Sequence, residues 1–175
     1  NNSDGTDGGN DYWRGKATYL KTLTLEDLPS GGENYPEING ANSSADVFFN
    51  GEKLCHHDGG YSTFRVLLPK EVKNENLLAI QVDNSANDKV YPQMADFTFY
   101  GGLYRDVNLI GVPHSHFDLE YLGGPGVMVT PHTEGSVDVD VFVKGEIPLL
   151  RYSLFDMEGK KVGGCEVRDL KVTIP

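Results

Sequence analysis

The chain has 175 residues, and its 26 acidic against 15 basic residues give a formal net charge of -11 and a pI near 4.7. Nucleic-acid backbones and anionic membranes are therefore excluded as expected partners, because both need clustered Lys and Arg. No apolar run approaches the ~20 residues of a membrane span, and the length allows one well-buried domain or one domain plus part of another. Cys55 and Cys165 have no CxxC neighbour, so we expect free thiols rather than a zinc site or a disulfide framework.

The chain begins with a polar, glycine-rich stretch, residues 1–11, which we expect to be a disordered or loop lead. The fold begins at Tyr12, and the segment Tyr12 to Leu25 alternates with period two, which predicts one strand of a half-buried antiparallel sheet. The alternation predicts an apolar face and a threonine face: Tyr19, Leu23 and Leu25 against Thr18, Thr22 and Thr24.

The segment Ala45 to Leu54 is the clearest hairpin signal in the sequence. An alternating apolar run meets Asn50-Gly51, a pair that suits a type I′ turn because both positions take left-handed backbone conformations. Leu77 to Asp83 reads as another strand, with alternate apolar residues on one face. Between them we expect at most a single helical turn, at Lys70 to Val72.

Later segments repeat the strand pattern in short pieces. Val107 to Val112, Phe117 to Tyr121 and Val127 to Thr130 are separated by glycine and proline, and no amphipathic helix occurs. This pattern predicts an all-β sandwich. Linker residues concentrate at Pro131 to Gly135, and sharper alternation follows, so we predict one domain over residues 12–130 and the opening part of a second over 131–175.

Three motifs carry a resemblance to a known family. They are the hairpin at Asn50-Gly51, the segment His57 to Phe64 with Gly59 and Gly60, and the segment Gly101-Gly102-Leu103-Tyr104-Arg105-Asp106-Val107. The chain resembles the N-terminal sugar-binding domain of glycoside hydrolase family 2, the family of β-galactosidases and β-glucuronidases. The resemblance implies a jelly-roll sandwich of the galactose-binding type, followed by a partial immunoglobulin-like sandwich.

The resemblance also implies roles for individual residues. Asp96 matches the family carboxylate that reaches into the active site of a separate barrel domain and binds hydroxyls of the terminal sugar, so we expect it to bind substrate. A carboxylate suits that task because it accepts charge-assisted hydrogen bonds from two hydroxyls. The other motif residues are expected to be structural: Asn50, Gly51, His57, Gly59, Gly60, Gly101, Gly102 and Arg105.

Catalysis is expected to lie outside this chain. The family uses two barrel glutamates in a retaining mechanism, so the resemblance implies a parent enzyme of the β-galactosidase type. The part of that enzyme in this chain is expected to be inactive alone. We expect no catalytic residue, no metal ligand and no cofactor in the chain. The resemblance allows a sodium or magnesium ion in the parent enzyme. Its expected partners are a β-galactoside or related carbohydrate, the missing barrel and further copies of itself.

Three points stay open from the sequence. Family galactosidases carry an upstream substrate-binding Asn before the position of Tyr12, and no match for it is present, which weakens the galactoside prediction against glucuronides. A free-standing carbohydrate-binding module could instead stack a sugar on Trp13, Tyr91 or Tyr100, and a ligand-free scaffold is a third reading. The compartment, cytoplasmic or secreted, is undetermined.

The histidines are candidate metal ligands. His56, His57 and Asp58 are consecutive, and neighbours on a strand point to opposite faces, so a packed His57 is favoured. His114 and His116 could share one face, but no third ligand is identifiable, and we expect them to be loop residues.

Overall fold

Antiparallel strands make up nearly all the regular structure of this chain. The structure is a computed structural model and describes residues 13–91, 99–147 and 149–175. Within these residues it contains sixteen strands and one short 3-10 turn, Tyr121–Gly123. The prediction of an all-β fold is confirmed. The described residues contain no helix that is both long and apolar enough to cross a lipid bilayer.

The described residues form two compact units. The first comprises residues 13–30 and 34–111, and the second comprises residues 31–33 and 112–175. The units therefore divide between Gly111 and Val112, whereas the sequence analysis placed a domain limit at residue 131. That limit stays a prediction. The strand Val127–Pro131, which precedes it, pairs with Val137–Val141 and so belongs to the second unit.

Seven strands lie wholly in the first unit, and two more, Gly32–Ile38 and Val107–Pro113, lie in it for most of their length. They are β1 Lys16–Thr24, β2 Gly32–Ile38, β3 Ala41–Asn42, β4 Ser44–Phe49, β5 Glu52–Asp58, β6 Phe64–Arg65, β7 Glu75–Asp83, β8 Gly102–Leu103 and β9 Val107–Pro113. Their hydrogen bonds give a four-stranded sheet in the order β1-β7-β4-β5, a three-stranded sheet in the order β6-β2-β9, and the short pair β3-β8.

The core of the first unit lies between its two larger sheets. Strand β7 supplies Leu78, Ile80 and Val82, which are buried alternately along the strand as its sequence predicted. They pack with apolar residues of both sheets, including Val47 and Ile38. Two sheets that share one apolar layer are the sandwich architecture expected of the jelly roll.

Strand β1 departs from its predicted burial. Tyr19 and Leu23 do lie on one face, beside Ile80 and Asn76 of β7, but only Leu23 is buried. Tyr19 is partly exposed because β1 is an edge strand with a single neighbour. Leu25 is exposed because it follows the last residue of the strand. Lys70 to Val72, where at most a single helical turn was expected, form no helix.

The predicted hairpin is confirmed. Strands β4 and β5 pair in antiparallel register, with Phe49 opposite Glu52. The two turn residues have positive φ, 52° at Asn50 and 89° at Gly51. This is the backbone that a two-residue type I′ turn requires.

Seven strands build the second unit. They are β10 His116–Phe117, β11 Val127–Pro131, β12 Val137–Val141, β13 Val143–Lys144, β14 Leu150–Phe155, β15 Lys161–Val167 and β16 Lys171–Ile174. The sheets are β11-β12-β16, β14-β15 and β10-β13. Val141, Leu150, Tyr152 and Ile174 form its core. The strand predicted at Phe117 to Tyr121 already ends at Phe117, because the Asp118 side chain then accepts hydrogen bonds from the Glu120 and Tyr121 amides and turns the chain.

Candidate functional site

The glycine pair Gly101-Gly102 lies where two side chains leave no room for a Cβ atom. A Cβ on Gly101 would overlap the side-chain amide of Asn84, and a Cβ on Gly102 would overlap the phenol oxygen of Tyr19. Gly102 also has a φ of 80°, which favours glycine. The Tyr19 oxygen accepts a hydrogen bond from the Leu103 amide at 3.2 Å. The two glycines therefore allow this segment to lie in close contact with Asn84 and with Tyr19 of β1.

Tyr104 and Arg105 fasten the same segment to the loop that follows β5. The Tyr104 hydroxyl donates to the carbonyl oxygen of Gly60 at 2.5 Å, and Arg105 Nη1 donates to the carbonyl oxygen of Tyr61 at 3.0 Å. The guanidinium carbon of Arg105 lies 5.2 Å from the centroid of the Tyr104 ring. Burial raises the pKa of the Tyr104 phenol. Arg105 thus contacts carbonyl oxygens rather than an anion.

His57 and His56 point to opposite sides of β5. The His57 ring stacks on Phe64 with a centroid separation of 4.1 Å and an interplanar angle of 16°, and its Nε2 lies 3.1 Å from Ser62 Oγ. Burial lowers the pKa of His57, more than the hydrogen bond at Gly59 and the Asp58 charge raise it. A stacked, half-buried imidazole that favours its neutral form is a packing residue.

Gly59 and Gly60 shape the loop beside His57. Gly59 has a φ of 134°, and a Cβ on Gly60 would lie against the side-chain oxygen of Asn42. The predicted motif residues His57, Gly59, Gly60 and Arg105 are thus neighbours in space, linked through Tyr104. The turn at Asn50 and Gly51 lies elsewhere, at the tip of the hairpin that joins β4 to β5.

Asp96, the predicted substrate ligand, lies outside the described residues, in the segment 92–98. The residues on either side of this segment are described. Tyr91 and Tyr100 expose 74% and 72% of their surfaces, and Trp13 exposes 64%. The Trp13 carbonyl oxygen accepts a hydrogen bond from Asn84 Nδ2 at 3.3 Å. Because Asn84 also abuts Gly101, the exposed Trp13 is joined to the glycine pair through one side chain.

Asn42 is a residue whose importance sequence reasoning missed. It fits the N-glycosylation pattern with Ser43 and Ser44, but its side chain is buried and its Nδ2 donates to the carbonyl oxygen of Tyr100 at 2.7 Å. A buried polar side chain that bonds a backbone group is expected to be structural. No local signal marks it, because its partner is far along the chain.

A polar hollow of about 250 Å³ lies on the outer face of the four-stranded sheet. His56 contacts two carboxylates there, with Nδ1 2.6 Å from Asp46 Oδ1 and Nε2 3.1 Å from Asp58 Oδ1. A hydrogen bond from Ser44 and then the His56 charge lower the pKa of Asp58. The aspartates on this face have hydrogen-bond or charged partners of their own, so the hollow is a satisfied polar surface.

His114 and His116 lie near one carboxylate in the second unit. His114 Nδ1 is 3.9 Å from Glu33 Oε1, and His116 Nε2 is 3.8 Å from Glu33 Oε2, both too long for hydrogen bonds. His116 lies on β10 opposite Lys144, not in a loop as expected, and its Nδ1 donates to the Pro113 carbonyl oxygen at 2.8 Å. Among the described residues, no group of three or more such side chains is placed to hold a metal ion.

An Asn-Glu pair, the sequence context of the family's acid/base glutamate, does occur at Asn74-Glu75. Glu75 is exposed at the first position of β7, opposite Thr24 of β1. It is thus on a sandwich strand and not on a barrel, and the expectation that the catalytic glutamates lie outside this chain is unchanged.

Known proteins resemble this chain along most of its length. No protein-family model matches it. A β-glucuronidase from Bacteroides fragilis is 31% identical over 136 residues, which are 77% of this chain and 20% of that protein. A β-galactosidase from Thermoanaerobacter pseudethanolicus is 32% identical over 94 residues, which are 51% of this chain and 13% of that protein.

The same likeness extends to solved structures. The crystal structure of an FMN-binding β-glucuronidase from Facaelibacterium prausnitzii L2-6 superposes with a TM-score of 0.77 and 38% identity, over 96% of this chain and 28% of that one. The chain spans only 20% and 13% of the lengths of the two curated relatives.

Proposed function

We propose, from the premise that this chain belongs to glycoside hydrolase family 2, that it is the non-catalytic N-terminal part of an enzyme that hydrolyses terminal β-glycosides. The chain is an all-β scaffold, and the hydrolysis is carried out by two glutamates of a barrel beyond it. Its contribution is to buttress that barrel and to lend one carboxylate, Asp96, to the sugar site. The 175-residue chain alone is inactive.

The substrate proposed for the full-length protein is a β-glucuronide. The observation that supports it is the 38% identity, over 96% of this chain, with a solved β-glucuronidase. The sequence analysis favoured a β-galactoside, and relatives of both kinds match the chain.

Two measurements on the full-length protein test this proposal. Its kcat/KM for a nitrophenyl β-glucuronide should exceed that for the matching galactoside, and the reverse order would overturn the substrate assignment. Asp96→Ala should lower turnover by about 100-fold, as expected for two charge-assisted hydrogen bonds to substrate, with little change in Tm. Asp88→Ala, at an exposed carboxylate before the same segment, is the matched control and should leave turnover unchanged.

A second candidate function has an observation in its favour. Trp13, Tyr91 and Tyr100 are all strongly exposed, and exposed aromatic rings can stack on the apolar face of a pyranose. A free-standing carbohydrate-binding module would then bind sugar without hydrolysing it. Calorimetry of the 175-residue chain with glucuronic acid and galactose separates the two, because micromolar binding supports the module and no heat of binding supports the hydrolase.

A further inference from the structure

We infer that one side of the first unit is completed by an added β-strand from outside these 175 residues, which pairs with the edge of β9 and fills an apolar groove between β9 and β1. The groove has a volume of about 320 Å³, and the residues that line it all belong to the first unit. The inference rests on the proposed function, in which this chain is part of a longer polypeptide.

The groove opens part of the hydrophobic core to solvent. Leu23 of β1 and Leu78 and Ile80 of β7 are core residues, and all three line it. Leu20 of β1 and Val107 of β9 line it too, and they expose 66% and 38% of their surfaces. Exposed apolar residues that continue a core are typical of a surface that another segment covers.

The two strands beside the groove are sheet edges. β1 ends the order β1-β7-β4-β5 and β9 ends the order β6-β2-β9, so each has one hydrogen-bonded neighbour among the described residues. β1 pairs with β7 over nine consecutive residues without a shift in register. A regular edge of this kind presents backbone N–H and C=O groups to any further strand.

The opposite edges of the two sheets are protected. The pairing of β4 with β5 shifts register between Val47 and Phe48, and β5 carries the charged residues Glu52, Lys53 and Asp58. β6 is only two residues long. Bulges, charges and short length all hinder the addition of a strand, so the side with β1 and β9 is the one that can accept it.

The edge of β9 suits the added strand. Val107 and Leu109 are two residues apart, so they share a face of the strand, and both line the groove. A strand hydrogen-bonded along β9 would place its own alternate side chains beside them and towards Leu20 of β1. Such strand addition combines main-chain hydrogen bonds with pockets for alternate side chains, and it would give the three-stranded sheet a fourth strand.

The occupant is an extended segment of the full-length polypeptide with apolar residues at alternate positions. Residues 1–11 contain only Asn, Asp, Ser, Thr and Gly, so they do not supply such side chains. A second copy of this chain is disfavoured, because each copy carries a net charge of -11. The curated relatives match this chain over 20% and 13% of their lengths. A protein of their size has ample chain for the strand, and a tethered segment has a high effective concentration at the groove.

Cysteine labelling tests the inference. In a background with Cys55→Ser and Cys165→Ser, Leu20→Cys places a thiol at the groove, and Lys53→Cys places one on β5 as the matched control. The Leu20→Cys variant should react with a maleimide about 10-fold more slowly in the full-length protein than in the 175-residue chain. The control should react equally in both. Equal rates for Leu20→Cys, or slowing of both variants, would overturn the inference, as would slowing that grows with protein concentration, which indicates a second copy.

Hydrogen exchange gives a second measurement that needs no substitution. Because alternate amides of β9 face away from β2, residues 107–111 should exchange about 10-fold more slowly in the full-length protein than in the 175-residue chain, whereas β5 should not differ. Slow labelling without this protection would mean that no strand pairs with β9, and would overturn the inference. Both readouts are independent of hydrolysis. A full-length protein that cleaves glycosides with an open groove refutes this inference alone, and one that covers the groove but cleaves none refutes the proposed function alone.

Discussion

The side-chain amide of Asn50 donates to the side-chain oxygen of Asn76 at 3.0 Å, which ties the tip of one hairpin to the start of β7. Asn50 Oδ1 also accepts from the Leu77 amide at 2.9 Å. Asn76 is almost completely buried, and its amide donates to the Lys73 carbonyl oxygen at 2.8 Å. The hairpin therefore has long-range support in addition to its favourable turn residues.

Asn76→Ala should lower the free energy of unfolding by about 2 to 3 kcal/mol, because it removes an almost completely buried amide together with its bonds to Asn50 and to the Lys73 backbone. Asn50→Gly keeps a residue that tolerates the positive φ of the turn and removes only the side-chain bonds, so its cost should be smaller. Urea unfolding of the 175-residue chain measures both. An equal cost for the two variants would mean that the buried network contributes nothing beyond the hairpin bonds.

Gly102→Ala should destabilise the chain by more than Gly51→Ala. Both glycines have positive φ, 80° and 89°, so both substitutions introduce about 1 to 3 kcal/mol of backbone strain. Only Gly102 has a close neighbour, the Tyr19 phenol oxygen, since a Cβ on Gly51 meets nothing within 4 Å. Thermal unfolding of the two variants should therefore give a lower Tm for Gly102→Ala.

The same steric contact offers a rescue. Tyr19→Phe removes the oxygen that the new Cβ would meet, so it should recover part of the stability of Gly102→Ala. In the wild-type background it should instead cost stability, because the Leu103 amide loses its acceptor. A Tyr19→Phe substitution that lowers Tm equally in both backgrounds would refute the steric explanation.

Arg65 and Glu37 form a partly buried ion pair, with Nε 2.7 Å from Oε2 and each side chain 15% exposed. Asn108 Nδ2 donates to the other carboxylate oxygen at 3.2 Å. Arg65→Met should destabilise the chain by about 1 to 3 kcal/mol, because it leaves a partly buried carboxylate without its cation. Replacing both residues by Met should cost much less. A double variant as unstable as Arg65→Met would contradict this.

The ion pair of Arg65 and Glu37 also predicts that the stability of the protein falls at low pH. Burial alone would raise the pKa of Glu37, but the hydrogen bonds from Arg65 and Asn108 outweigh it and lower the pKa. A lowered carboxyl pKa contributes stability that is complete above the unfolded value of about 4.3 and is lost as the pH falls below it. Urea midpoints measured from pH 7 to pH 3 should fall less steeply for Glu37→Gln than for the wild type.

His57 should also make the protein less stable as the pH falls, but over a higher pH range than Glu37. Burial lowers its pKa, so its contribution is complete above the unfolded value of about 6.5 and declines as the pH falls. The stability advantage of the wild type over His57→Gln should therefore narrow between pH 8 and pH 5. His114→Gln, at an exposed side chain, controls for the loss of a histidine in general. A constant advantage across this range would refute the prediction.

Local patterns in the sequence predicted the parts of the fold that local physics determines. The alternation of Leu78, Ile80 and Val82 identified a half-buried strand. Asn50-Gly51 identified the hairpin, because few residue pairs tolerate the two left-handed conformations of the turn. Burial on β1 was mispredicted because the sequence does not say which strand lies at the edge of a sheet. Tyr19 has the right face but only one neighbouring strand.

The candidate site was predictable only in part. The glycine pair and Arg105 were recognisable as motifs, but the contacts that explain these residues are made with distant parts of the chain. The glycines lie against Tyr19 and Asn84, and Arg105 bonds the Tyr61 carbonyl oxygen. Asn42 begins a tripeptide that fits the glycosylation pattern of exposed loops, but its side chain is buried. Hydrogen bonds across the two-sheet structure have no periodicity for a sequence to display. The role of Asp96 stays a prediction.

The contacts of Asn50 also bear on the chemical ageing of the protein. Asparagine followed by glycine is the sequence most prone to deamidation, in which the next backbone nitrogen attacks the side-chain amide carbon to form a succinimide. Here both polar atoms of the Asn50 side chain are hydrogen-bonded, to Asn76 and to the Leu77 N–H, and these bonds must break before the amide carbon can turn towards the Gly51 nitrogen. Removing Asn76 would therefore shorten the storage life of the protein as well as loosen its fold.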